Sequence, residues 1–391
     1  MNEGQGGPES HQSPSSGVGE LLALTGLRGF AALWVLLYHV WAMAGGPPLR
    51  IPGAEFLRIS AVLSTGWAGV DLFFCLSAFL LVLPYARWRH AGAARPDTGR
   101  YLLRRVLRIY PAYLFQLGLL LILAWLFGVG RMPNADELWS HLFLWFYMGW
   151  EPVAPLVGVW FTLPIEFSFY LILPFLAPML DRRRWPWLLL FAIVATVAYR
   201  MWMHALYADA PVSTQVIMIE RLPGRFDQFV IGMLAGAALV AASLRGWTPV
   251  RPGWWFFIGV AGLVAVDAAL LRVAGEYWSG HPLLYVWHAL FSICLVPVLL
   301  ACAWGAKPAR LALANRPMRY LGDISFGVYL WHMPIVLAIL PMLPAHYDPS
   351  TKFWLLLVAV APPTILVAAL SHRFVEMPFL RRKPAHRSTR V

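Results

Sequence analysis

The stretch Leu21–Met43, LLALTGLRGFAALWVLLYHVWAM, decides the fold. About 20 apolar residues, at about 1.5 Å of helical rise each, cross the hydrocarbon layer of a bilayer, and this run is long enough to do so. Inside it stand Arg28 and His39. At about 100° per residue their spacing returns both side chains to nearly the same helix face, about 16 Å apart along the axis. A cation and a titratable imidazole are each costly among lipid tails. Their shared stripe is therefore expected to line a polar tunnel inside the protein rather than to face lipid.

The rest of the chain agrees with a membrane origin for this helix. Of 391 residues 60% are hydrophobic and only 13% charged, with 20 tryptophans, which excludes an ordinary soluble globule. The mean hydropathy, +0.63, points the same way. About ten stretches are long enough to span, near 21–43, 61–84, 106–127, 159–180, 186–206, 226–244, 253–272, 283–304, 320–343 and 353–375. A further apolar piece, Leu138 to Gly149, is too short and reads as interfacial or re-entrant. The expected fold is all-α: a polytopic helical bundle of about ten transmembrane helices plus that short segment. Residues 1–20, rich in Gly, Ser and Pro, are expected to be a disordered cytoplasmic tail, 21–376 the membrane domain, and 377–391 a basic cytoplasmic tail.

A net charge of +12 raises the question of nucleic acid, but the basic residues are distributed by side of the membrane. With the N-terminus inside, the arginines from Arg87 to Arg108, Arg182 to Arg184 and those of the C-terminal tail share one face. The other face holds only Arg50, Arg58, Arg131, Arg200, Arg221, Arg225, Arg272 and Lys352. This asymmetry places both termini in the cytoplasm and makes the bilayer, not nucleic acid, the partner. Ala42-Met43-Ala44 imitates a signal-peptidase site, yet the apolar run before it is too long and holds an arginine, so the span is read as uncleaved. Cys75, Cys294 and Cys302 show no paired spacing, so neither a disulfide framework nor a metal site is expected.

Depth along each stretch arranges the other intramembrane polar groups. Asp71 falls near the midplane of the second, where it could pair with Arg28 or touch substrate. Glu166 falls near the outer end of the fourth, at about the depth of His39. A carboxylate there could fix the tautomer of the imidazole and raise its basicity for general-base work on a hydroxyl. Alternatively, because it follows Pro164, Glu166 could cap N–H groups freed by a helix irregularity. Arg105 and Arg108, three apart, share a face and could grip phosphate, or could serve only topology and lipid headgroups. Asp267, His288, Asp323, Ser325 and His332 read mainly as structural, and the run Arg221–Asp227 as an acceptor contact or a self-paired loop. The chain has no Gly-x-Ser-x-Gly elbow, P-loop, HExxH or Gly-x-Gly-x-x-Gly turn.

Seven elements in order carry a family resemblance. They are Gly26-Leu27-Arg28-Gly29 ending in Tyr38-His39, then Gly69-Val70-Asp71-Leu72-Phe73-Phe74, Arg105-Val106-Leu107-Arg108-Ile109-Tyr110-Pro111 and Trp160-Phe161-Thr162-Leu163-Pro164-Ile165-Glu166. Phe229-Val230-Ile231-Gly232, the run from Leu321 to His332, and Val375-Glu376-Met377-Pro378-Phe379 complete the set. With them the chain resembles the acyltransferase-3 membrane proteins, which O-acylate bacterial surface carbohydrates and some macrolides. Thr25 stands where many members carry aspartate, and Ala78 where a glycine usually follows the serine. The esterase-like domain fused to some members is missing, so the membrane part is expected to act alone.

The resemblance implies a bacterial cytoplasmic-membrane enzyme that moves an acyl group from acyl-CoA, acetyl or longer, to a hydroxyl of a carbohydrate, glycolipid or macrolide. It implies no permanently bound cofactor. His39, Arg28 and Glu166 are the expected catalytic residues, with His39 as base and Glu166 orienting it. Arg105, Arg108 and Asp71 are the expected donor-binding residues. The competing readings are a multispan exporter of a lipid-linked sugar or antibiotic, and a structural membrane subunit. No internal repeat is visible, which counts against a carrier.

Overall fold

The computed structural model describes residues 16–51, 54–149 and 153–381, and they are helical almost throughout. Among the described residues ten helices are long and apolar enough to cross a membrane. They are Leu22–Met43, Gly66–Ala91, Thr98–Phe127, Gly158–Met179, Trp185–Leu206, Leu222–Leu244, Pro252–Arg272, Leu283–Ala303, Ser325–Met342 and Pro349–Arg381, called here the first to tenth spans. Each overlaps one of the expected stretches, so the helical bundle is borne out. The first helix already begins at Ser16, inside the stretch expected to lack structure, and the tenth span runs helically to Arg381. The remainder of both expected tails, 1–15 and 382–391, lies outside the described residues.

Two small features depart from spanning helices. A two-stranded antiparallel ribbon pairs Arg50 with Arg58 just after the first span. The apolar piece from Leu138 to Gly149 does not cross: a helix of 8 residues, Ala135–Leu142, ends before a bend where Leu144 and Tyr147 take positive φ. The side chain of Asn134 caps that helix and Glu137 returns the bond, a reciprocal pair that fixes where it starts.

Close backbone approach organises the centre. The sixth span lies against the second so tightly that a Cβ on Gly232 would fall 2.3 Å from the Cys75 carbonyl oxygen, and one on Gly236 2.5 Å from that of Phe79. One turn apart on the same face, the two glycines let the helices touch backbone to backbone. Phe169 of the fourth span stacks on Phe229 of the sixth with ring centroids 4.2 Å apart, and Phe74 of the second closes on the same ring at 4.9 Å. The first span runs through this core, packed on the second and ninth spans and on the short helices Lys307–Leu313 and Arg316–Asp323. The seventh span is peripheral, with Trp254, Phe257 and Val264 on its outer face.

Candidate active site

Arg28 and His39 leave the first span on one stripe and open into two different cavities. The first cavity, about 310 Å³, is lined by Arg28, Ser77, Arg105, Arg108, Glu166 and Tyr170, so four expected site residues from three helices meet there. Arg28 forms no ion pair with any described residue. Arg105 lies over the rings of Tyr101 and Tyr170, at 6.0 and 5.7 Å from their centroids, and its buried Nε has no hydrogen-bond partner. Arg108 donates from Nη1 to Glu376 Oε2 at 3.0 Å and packs over Phe326. Glu376, only 1% exposed, is delivered by a π-helical turn, His372–Glu376, near the end of the tenth span. Widening the helix by a residue re-aims a side chain, and here it points a carboxylate at an arginine of the third span.

Glu166 does not orient His39. Its Oε1 accepts from Ser77 Oγ at 2.9 Å and from Tyr170 Oη at 2.5 Å, which holds it in the arginine-lined cavity. The fourth span opens with a 3₁₀ turn, Gly158–Phe161, and Glu166 in the α-helix that follows meets Ser77 of the second span. Tyr170, one turn further along the same face, then satisfies it.

Asp71 does not pair with Arg28 either, nor does it line the arginine-lined cavity. It is fully buried, and its Oδ1 takes Arg225 Nη1 at 2.6 Å, Gln228 Nε2 at 2.5 Å and His288 Nδ1 at 2.5 Å. The touching second and sixth spans bring these groups together. Glu220 completes the cluster: it takes Arg200 Nη2 at 2.9 Å, contacts Arg225 Nε, and faces His288 Nε2 at 3.3 Å. The run Arg221–Asp227 is thus not a self-paired outer loop, because Arg225 is buried on the second span's aspartate.

The second cavity, about 400 Å³, holds His39 with Trp67, Phe161, Arg225, Tyr277 and Trp278. Val70 and Tyr329 line both cavities and form the partition between them. Tyr329 Oη donates to the Val159 carbonyl oxygen at 2.5 Å and bonds Thr162 Oγ1 at 2.8 Å, which latches the ninth span to the start of the fourth.

The hydrogen bonds assign the tautomer of His39. His332 Nδ1 lies 3.0 Å from the Val328 carbonyl oxygen, so it carries the hydrogen and Nε2 is an acceptor. His39 Nδ1 lies 2.9 Å from the Val35 carbonyl oxygen and 3.2 Å from His332 Nε2. Both neighbours accept, so Nδ1 carries the hydrogen and the lone pair of a neutral His39 sits on Nε2. The side chain that faces His39 Nδ1 is therefore a second histidine on the ninth span, not a carboxylate.

His332, Ser77, Tyr170, Glu376 and Glu220 were missed or read as structural from sequence, and Arg225 was read only within the run Arg221–Asp227, as an acceptor contact or a self-paired loop. His332 and Glu376 stood inside quoted motifs, and that was the available signal. Ser325 lines the first cavity, whereas its neighbour Asp323, grouped with it among buried polar residues, is exposed.

The fold and site define a class: a polytopic helical membrane protein with an arginine-lined and an aromatic, histidine-bearing cavity back to back across one thin wall. The Acyltransferase domain matches residues 21–373, and the chain belongs to this acyltransferase-3 family. It is 26% identical over 379 residues to the peptidoglycan O-acetyltransferase OatA of Listeria monocytogenes, covering 91% of this chain and 55% of that protein. It is 24% identical over 388 residues to the O-acetyltransferase OatA of Staphylococcus aureus, covering 93% of this chain and 57% of that protein. With nodulation protein 10 of Rhizobium leguminosarum bv. viciae it shares 25% identity over 391 aligned positions, covering 91% of this chain and 92% of that protein. The chain thus spans little more than half of the two O-acetyltransferases. No solved structure gives a significant match.

Proposed function

We propose that the protein is a bacterial membrane-embedded O-acyltransferase that moves an acyl group from acyl-CoA to a hydroxyl of a carbohydrate, glycolipid or glycosylated small molecule. The observation that carries this reading is the shared wall: one cavity suited to an anionic donor meets another suited to a sugar, with Val70 and Tyr329 common to both. Arg105 and Arg108 would hold the donor's phosphates at the basic, cytoplasmic side, and Arg28 the pantetheine arm or thioester carbonyl. A cavity of about 310 Å³ suits that narrow arm and leaves the nucleotide end at the mouth. Across the partition, Trp67, Phe161, Tyr277 and Trp278 offer flat apolar faces to a sugar ring, and Arg225 and Glu220 polar contacts to its hydroxyls.

His39 Nε2 takes the acceptor hydroxyl proton as the oxygen attacks the thioester carbonyl. The tetrahedral oxyanion then collapses, the carbon–sulfur bond breaks, and the departing CoA thiolate receives that proton from the imidazolium. An ester and free CoA thiol result. Relatives named for O-acetylation of peptidoglycan make a surface glycan one natural acceptor.

The test is release of free thiol from acetyl-CoA by the purified, reconstituted protein, with and without an alcohol acceptor. Acceptor-dependent thiol release is expected. Movement of a sugar or antibiotic across the bilayer without thiol release would overturn the reading in favour of an exporter.

Two further outcomes probe the two sides of the wall. Arg108→Ala is expected to raise the KM for acyl-CoA about tenfold to a hundredfold, the loss of one charge-assisted bond, with a smaller change in kcat. An unchanged KM reassigns Arg108 to holding Glu376. Tyr329→Ala removes the latch on Val159 and Thr162 and joins the cavities. Acyl-CoA hydrolysis without acceptor should rise severalfold, as water reaches the thioester. Wild-type hydrolysis in this variant would mean that Tyr329 is no barrier.

A further inference from the structure

The largest cleft of the four described, about 540 Å³, lies away from both cavities and shares no lining residue with either. It runs between the fifth, sixth and eighth spans. Its floor is one stripe of the sixth span, Ile231, Leu234, Ala235, Ala238 and Ala241, ending at Arg245. Alanines make the floor deep, and Leu189, Ile193, Ile293 and Val296 supply aliphatic walls. From Ile231 to Arg245 the helix rises about 21 Å, more than the roughly 15 Å of one hydrocarbon leaflet. The flank beside it is built for lipid, with Leu190, Phe191 and Val194 exposed on the fifth span and Ile293 on the eighth.

Only one end of the cleft is charged, and it lies on the arginine-rich face. Arg182 and Arg245 converge there with His90, and Trp185 stands beside them. The nearby carboxylate, Asp181, is engaged by Arg89 at 3.6 Å and Arg184 at 3.4 Å. No described carboxylate lies within ion-pair distance of Arg182 or Arg245. Two uncompensated guanidinium groups above a leaflet-deep aliphatic slot, with an indole at headgroup level, match a phosphate headgroup joined to an acyl chain.

We infer that this cleft is a specific site for an anionic glycerophospholipid, its phosphate on Arg182 and Arg245 and one acyl chain along the Ile231–Ala241 stripe. The site is independent of the acyl-transfer reading, since it uses none of those residues.

Native mass spectrometry of the detergent-solubilised full chain, given equal phosphatidylglycerol and phosphatidylcholine, tests it. The wild type is expected to retain phosphatidylglycerol preferentially. The double variant R182Q/R245Q should lower that preference at least tenfold, two surface charges' worth, while Arg183→Gln leaves it unchanged. Ala238→Phe fills the slot and should abolish retention with both arginines in place. Millimolar inorganic phosphate should not displace the lipid. Equal retention of the two lipids by the wild type, or unaltered preference in R182Q/R245Q, overturns the site. Displacement by phosphate alone overturns the lipid in favour of a simple anion site. Thermal unfolding of each variant near the wild-type temperature confirms that the loss is of the ligand and not of the fold.

Discussion

Alanine at position 39 is expected to lower acyl transfer by about 10²–10⁴-fold while leaving the KM for acyl-CoA close to wild type. Arg105 and Arg108 open into the other cavity, so under the proposed mechanism removing the imidazole takes away the base without touching the phosphate grip. The neutral ring is the working form. As pH falls through its pKa, Nε2 gains a proton and can no longer accept one from the hydroxyl, so activity should drop along a single acid limb. His332→Phe, which removes one of the two acceptors facing His39 Nδ1 and leaves only the Val35 carbonyl oxygen, should lower kcat with KM unchanged, because the ring is held less firmly. His332→Gln restores an acceptor and should recover part of the loss. A purely packing role for His332 would give no such rescue, and wild-type turnover in His39→Ala would end the general-base mechanism.

Asp71→Ala should be the most damaging substitution for stability, costing about 3–5 kcal/mol. It leaves Arg225 Nη1, Gln228 Nε2 and His288 Nδ1 without their shared acceptor at a fully buried position. Thermal unfolding of the solubilised protein measures the effect. Combining Asp71→Leu with Arg225→Met removes both charges of the shortest arginine–aspartate pair and should recover a good part of the loss, a coupling read from the double-mutant cycle. If Asp71→Ala unfolds at the wild-type temperature, the cluster is no structural keystone. Because Arg225 and Glu220 also border the His39 cavity, the single variant should lose activity even where it folds.

Helix number and placement were legible because bilayer thickness imposes a minimum apolar length on every span, and a run such as Leu21–Met43 meets it unaided. The arginine–histidine stripe was legible for the same reason, as α-helical periodicity fixes which residues share a face. Partners across helices were not. Depth counting does not say which neighbour a side chain faces, and Glu166 turns to Ser77 of the second span and Tyr170 of its own. For Asp71 the deciding fact was the contact of Gly232 and Gly236 with the second span, which a depth ranking cannot register. His332 lies 293 positions from His39, and no local pattern marks that meeting. The resemblance to a family marked the residues that matter better than it marked who touches whom.

The ion pair between Arg108 and Glu376 joins residues 268 positions apart, one from the third span and one from the tenth. A ribosome must therefore deliver the chain through Glu376 before this contact between the third and tenth spans can form. Nascent chains halted earlier would lack that clasp and leave the guanidinium of Arg108 without its carboxylate.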